Sequence, residues 1–328
     1  MNKCVIISLF KKGAEKRMKA LQVKSEITQC KTVEIKELLN KFIQYVDVSA
    51  SSVRTYVFGV KAFIRYLSEN GISAPTRNTI LEYKKTLSAT KSASTVSLYL
   101  SSLRRFFAWC ENENLYGDIT KGIKNPRIDT GHKKDAFSAQ QLKKIMSGIN
   151  RNSLKGSRDY AIFALTAATG LRTCEVIRAD IGDIRTVQGE KVLFIQGKGR
   201  SSKSEFVKLS EHVMKAIEAY LKQRGEVSEN EPLFASVSRR NFGGRMATRS
   251  ISRICKGAMR AAGFDSKRFT AHSLRHSSIT LALLAGISIQ EVSQFARHSS
   301  ISVTMIYAHD LERLKSRCES AISAALFE

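Results

Sequence analysis

The chain has 328 residues, 43% of them apolar, and sets 54 Lys plus Arg against 29 Asp plus Glu for a formal net charge of +25. That length allows two domains with their own cores, and the apolar content excludes a disordered basic tail. No apolar run approaches the roughly 20 residues that a membrane-spanning helix needs, and the opening stretch 4–10 is too short for a signal-peptide core. The expected partner is polyanionic: nucleic acid first, because cationic grooves gain affinity by releasing counterions from phosphates, and a membrane surface only second. Six scattered cysteines (Cys4, Cys30, Cys110, Cys174, Cys255, Cys318) form no CxxC pair. They point to reduced thiols in a cytoplasmic setting rather than to a disulfide frame or a zinc knuckle.

In chain order, residues 1–30 are basic and weakly periodic, as in an N-terminal extension. Residues 31–116 show helical spacing. Val53, Tyr56, Val57, Val60, Phe63, Ile64 and Leu67 form one apolar stripe behind the capping candidates Ser51 and Ser52. Arg54, Lys61 and Arg65 fall on another face, and a later helix over 95–110 carries Arg104 and Arg105. This reads as a small all-α DNA-binding bundle with a basic side. Residues 117–134 have turn and linker chemistry, with Asn125-Pro126 and Gly131. A second domain is expected over 135–310, with helices near 138–148 and 157–169. A β-hairpin follows, made of runs 191–196 and 205–209. Helices then continue to the end, broken at Gly225, Gly243-Gly244, Gly263 and Gly286.

The stretch 236–275 holds ten Lys or Arg, including Arg239, Arg240, Arg245, Lys267 and Arg268, and one acid, Asp265. Arg249, Arg253, Lys256 and Arg260 recur at helical spacing and make one cationic stripe. A solvated helix face would alternate signs, whereas this one is nearly all positive, which points to DNA contact by Arg245, Arg249 and Arg253 beside the upstream basic face.

Transesterification of a phosphodiester needs a nucleophile, an acid for the leaving oxygen, and fixed positive charge for the transition state. The second half of the chain offers Arg172 in Thr169-Gly170-Leu171-Arg172-Thr173-Cys174-Glu175, Lys198 in the hairpin turn, His272-Ser273-Leu274-Arg275, His298 and Tyr307. In this order the residues resemble the tyrosine recombinase (phage integrase) family, whose pattern is Arg, Lys, His-x-x-Arg, His or Trp, Tyr. The resemblance runs over residues 133–310, and the basic helical region before it is similar to the family's core-binding domain. Tyr307 falls nine positions after His298, as in the Xer-like branch. Ala296-Arg297-His298 departs from the common Leu-Gly-His, a change expected to alter the approach to His298.

The resemblance implies a mainly α fold with a small antiparallel sheet. A SAM-like core-binding domain would join a tyrosine-recombinase catalytic domain in a C-shaped clamp around duplex DNA. It also implies a metal-free and cofactor-free reaction through a 3′-phosphotyrosine. Tyr307 would be the nucleophile, Arg172 and Arg275 the phosphate grips, Lys198 the acid, His298 a phosphate donor and His272 an acceptor near Tyr307, with Glu175 buttressing its helix. The implied partners are a specific recombination site, three further copies of the chain in a homo-tetramer, and accessory DNA-bending proteins. The setting would be the cytoplasm, on the nucleoid. The apolar segment 311–328 would form a terminal helix exchanged between protomers or packed on its own chain. The implied role is integration and excision of a mobile element, with chromosome-dimer or plasmid resolution as the alternative. A non-catalytic DNA-binding protein of the same fold is a further alternative, and a type IB topoisomerase would share the chemistry without needing the core-binding domain. A zinc hydrolase built on His272 and His276 is disfavoured, because Ser273 stands where the HExxH box needs Glu.

Overall fold

The computed structural model describes residues 30–128, 135–197, 199–315 and 317–327. The basic leader over residues 1–29, residues 129–134 of the expected linker, and Lys198 lie outside the described residues. The chain divides into two compact units at Thr130 and Gly131.

The first unit is all helical: α1 (Cys30–Tyr45), α2 (Ala50–Glu69), α3 (Arg77–Thr90) and α4 (Ala93–Asn112). Ser49, not Ser51 or Ser52, caps α2 by accepting from the Ser52 N–H at 3.4 Å. The other two hydroxyls bond to Ser49 from the first turn, at 3.0 and 3.1 Å, because the chain is already helical at both positions. The stripe Val60, Phe63 and Leu67 meets Leu100, Leu103 and Phe107 of α4, with Ile80 and Tyr83 of α3 closing the core. Each fully buried side chain of this kind contributes roughly 1.5–3 kcal/mol. Helices α2 and α4 approach so closely that a Cβ on Gly59 would lie 2.5 Å from Ser102 Oγ, which is why glycine stands there. The chain after α4 is laced back by Arg104, which donates to Ile123 O at 2.7 Å and Asn125 Oδ1 at 2.9 Å.

The second unit contains α5 (Ala139–Ser147), α6 (Leu154–Thr169), α7 (Thr173–Arg178), a 3-10 turn (Ile181–Asp183) and strands β1 (Ile184–Val187), β2 (Glu190–Ile195) and β3 (Glu205–Lys208). Helices α8 (Glu211–Arg224), α9 (Thr248–Ala261), α10 (Ala271–Leu284), α11 (Ile289–Ala296), α12 (Ser302–Lys315) and α13 (Cys318–Phe327) follow. Helix α6 is the central rod. Ala161, Ile162, Phe163 and Leu165 are fully buried and cover several of its faces. Around it pack Ile217 and Tyr220 of α8, Leu193 and Ile195 of β2, Ile251, Cys255 and Met259 of α9, and Leu274 of α10. The sheet is antiparallel in the order β1-β2-β3, with Leu193 paired to both Ile184 and Val207. It contains the expected hairpin and adds β1 before it. Lys203 secures the outgoing arm of the hairpin by donating to Asp180 Oδ2 at 2.6 Å and Asp183 Oδ2 at 2.5 Å. A smaller cluster of Ile279, Val292, Ala296 and Tyr307 joins α10, α11 and α12. Helix α13 buries none of its described residues, and Ile322, Leu326 and Phe327 are 59%, 69% and 84% exposed. No described helix is long and apolar enough to cross a membrane.

Candidate active site

The segment Thr169-Gly170-Leu171-Arg172 is a hinge between two helices. Thr169 ends α6, and Gly170 takes the left-handed conformation (φ 60°) that glycine reaches without strain. Arg172 then starts α7, where its backbone N–H would lack an intrahelical partner. Glu175, three residues on, accepts that N–H with Oε2 at 2.8 Å and the Arg172 guanidinium with Oε1 at 2.9 Å. The Arg-x-x-Glu spacing thus encodes a helix start and a buried ion pair together. Glu175 is completely buried, while the Arg172 side chain keeps 28% of its surface exposed.

Arg275 sits inside α10 at 2% exposure. One end of its fork donates to Gly170 O at 2.7 Å and the other to Ala296 O, which fastens the ends of α6 and α11 to α10. Burial pulls its pKa down to about 10, helped by the neighbouring Arg172 and Arg297 charges, so it stays protonated at neutral pH. A cavity of about 300 Å³ opens beside Arg172, lined also by Cys174, Ser252, Thr270 and His272. Arg172 and His272 therefore border one space of a size to take a phosphate group.

Tyr307 projects from α12 into the small cluster and is 6% exposed. Its hydroxyl lies 2.5 Å from His276 Nδ1. Sequence reasoning named His272 as the nearby acceptor. One helical turn along α10, His276 is the residue on the hydroxyl, and the His272 ring packs edge-on against it at 4.7 Å. The only signal for this was the four-residue spacing of two histidines, which carries no information about where α12 lies. Burial pushes the Tyr307 phenol up to about 12, and the Arg275 charge partly offsets that rise. His298 follows α11 and holds Thr304 Oγ1 with Nδ1 at 2.7 Å, its ring roughly parallel to that of Tyr307 at 6.3 Å. Arg172, His272, Arg275, His298 and Tyr307 thus converge around the ends of α6 and α11, with α10 between them.

Arg297 has more than an approach role. Its side chain is 8% exposed and donates to Glu175 Oε2 at 3.1 Å and to Phe295 O at 2.8 Å. Glu175 is correspondingly more than a helix buttress, since it binds two guanidiniums.

The residues read as DNA contacts separate into two kinds. Arg54, Lys61, Arg65 and Arg105 are exposed on the first unit, as are Arg249 and Arg253 on the second. Arg104 is occupied by its own chain at Ile123 and Asn125. Arg245 is likewise anchored, to Ile177 O at 2.8 Å and to Asp180. The cationic stripe on α9 is broken in its second half. Lys256 and Arg260 both pair with Asp265, at 3.3 and 3.1 Å.

The model of the phage integrase family matches residues 136–313, and that of the SAM-like N-terminal domain of phage integrases matches residues 35–114. The chain is similar to a tyrosine recombinase of Synechococcus elongatus, 27% identical over 205 residues, which spans 62% of this chain and 63% of that one. It is also similar to tyrosine recombinase XerD of Listeria monocytogenes, 26% identical over 288 residues covering 83% of this chain and 94% of the relative. A solved XerH site-specific recombinase bound to a palindromic difH substrate aligns with TM-score 0.69 at 19% identity, over 97% of this chain and 93% of that one. That alignment shows the shared fold.

Proposed function

The chain belongs to the phage integrase family of tyrosine recombinases, which cut and rejoin DNA through a tyrosine intermediate, and we propose that it is a site-specific recombinase with Tyr307 as its nucleophile. The observation that carries this reading is the Tyr307 hydroxyl at 2.5 Å from His276 Nδ1, with the His298 ring 6.3 Å from the Tyr307 ring and the Arg275 charge acting on the phenol. Tyr307 attacks the scissile phosphorus and its proton passes to His276; the buried phenol would otherwise hold that proton at neutral pH. Arg172 and Arg275 bind the non-bridging oxygens as planar forks, a geometry that lysine does not supply. His298, with Nδ1 held by Thr304, donates through Nε2 to the same phosphate. Lys198 protonates the departing 5′ oxygen. The covalent 3′-phosphotyrosine conserves the bond energy for rejoining, so the step runs without ATP.

The role we propose is integration and excision of a mobile element, supported by the strong positive charge and the basic leader. The similarity to XerD over 94% of that relative favours a second reading, chromosome-dimer resolution. Mapping the genomic positions at which the protein forms covalent adducts separates the two readings: element ends favour the first, a single chromosomal locus the second. The exposed apolar face of α13 supports assembly as a tetramer on two sites, with this helix seated on a neighbouring copy. Deleting the residues after Arg317 should abolish assembly on DNA in sedimentation while single-site binding persists, and unchanged assembly counts against the exchange.

The reaction is tested by incubating the protein with a nicked suicide duplex bearing its candidate site, without ATP. The wild type should yield a protease-sensitive covalent adduct and Tyr307→Phe none, at equal DNA binding. Tight binding with no wild-type adduct would leave a DNA-binding protein that has kept the fold.

A further inference from the structure

Arg297 occupies a position that should suit it poorly. Its backbone is left-handed (φ 54°, ψ 49°), a conformation that costs a residue with a Cβ about 1 kcal/mol and that glycine adopts freely. Its charge is almost fully buried, and its Nε is a buried donor with no partner among the described residues. These costs persist in folded chains where the surrounding structure uses the residue.

The neighbourhood shows the use. Glu175 is completely buried and accepts from both Arg172 and Arg297, while Arg275 stands close enough for those two guanidiniums and Glu175 to influence its protonation. The local sum is three positive charges against one negative. Were Glu175 paired with Arg172 alone, the carboxylate would neutralise the same guanidinium that must receive the phosphate. Arg297 supplies a second positive charge on Oε2, and its carbonyl lies 3.5 Å from Arg172 Nη2. It thereby touches Arg172 through two routes, neither of which reaches the cavity where the phosphate would sit.

We propose that Arg297 is a positioning residue of the cleavage site: it takes up the charge of the buried Glu175, so that Arg172 is aimed by that carboxylate without being neutralised by it. The inference rests on the recombinase reading above and adds a residue to it. Glycine here would relax the backbone, yet it would leave Glu175 to compete with DNA for Arg172.

The test compares wild type, Arg297→Gly, Arg297→Lys, Glu175→Gln and the double variant Arg297→Gly/Glu175→Gln. Single-turnover adduct formation on the suicide duplex is measured alongside DNA affinity. Arg297→Gly should slow adduct formation by roughly 10- to 100-fold, the scale of a misplaced reacting group, with affinity for the duplex unchanged. Arg297→Lys should lose less, because it keeps the charge. Removing the Glu175 charge in the Arg297→Gly background should restore most of the rate, a rescue that a merely structural role would not show. A wild-type rate for Arg297→Gly overturns the proposal, and so does a double variant no faster than Arg297→Gly. If the wild type itself forms no Tyr307-dependent adduct, the recombinase reading falls and inorganic phosphate binding becomes the measure. Weaker phosphate binding by Arg297→Gly, regained in the double variant, sustains the proposal, and equal affinity overturns it.

Discussion

Two cationic regions of the second unit, one buried and one exposed, use the same residue types for different ends. In the buried one, Arg172 and Arg297 share Glu175, four backbone carbonyls accept from the forks of Arg172, Arg275 and Arg297, and the bonds of Arg275 to Gly170 and Ala296 and of Arg297 to Glu175 join elements far apart in the chain. On α9, Arg249 and Arg253 stand exposed above a seam of Ile251, Cys255 and Met259. The contrast teaches where arginine charge has leverage. A desolvated guanidinium fixes geometry and acts at full strength on a single phosphate, whereas an exposed one acts through screened attraction to many.

The largest effect expected from this contrast is at Arg275. Replacing it with Ala should cut adduct formation by about 10³-fold, as for the loss of a transition-state donor, and lower stability in urea by about 2 kcal/mol, because the carbonyls of Gly170 and Ala296 lose their donor. An intact urea midpoint would show that the fastening of α6, α10 and α11 does not depend on it. A smaller effect is expected at the histidine on the proposed nucleophile. His276→Ala should slow adduct formation by about 10²-fold, the lower part of the range for a lost proton acceptor, with DNA binding unchanged. If His272→Ala, which alters the residue beside Arg172 at the cavity, slowed the reaction while His276→Ala did not, the proton would have to leave by way of His272. The smallest effect sharpens the exposed side. Arg253→Ala should weaken DNA binding only a few-fold and reduce the slope of log affinity against log salt by about 0.9, the value for one lost phosphate contact. Arg260→Ala should change the slope less, because Asp265 already partners that side chain. Equal slopes for the two variants would remove the distinction between the two halves of the stripe.

Much of this arrangement is legible in the sequence alone. The period of Val60, Phe63 and Leu67 marked a core-facing helix, the hairpin emerged from its two β-rich runs, and the spacing of Arg172 and Glu175 already contains a helix start. These features are local, set by chain geometry within a few residues. Less legible were the cap at Ser49, which competes with two adjacent serines of equal capping power, and strand β1, whose four residues pair with β2 across a turn at Gln188-Gly189. The sequence displays the charge of Arg104 and Arg245, read as DNA contacts, but not the carbonyl and carboxylate that engage them within the chain.

The sequence by itself determined the chemistry this protein carries: a basic, mainly helical chain with Arg172, His272, Arg275, His298 and Tyr307 in the order of the family to which it belongs. Tertiary structure alone decided which partners those groups meet. Tyr307 reaches His276 across 31 positions of chain, and Arg297 reaches Glu175 across 122. Residue type and short-range period are written along the chain, whereas partner choice at such separations is fixed by how α6, α10, α11 and α12 pack against one another, and burial then sets how strongly each charge acts.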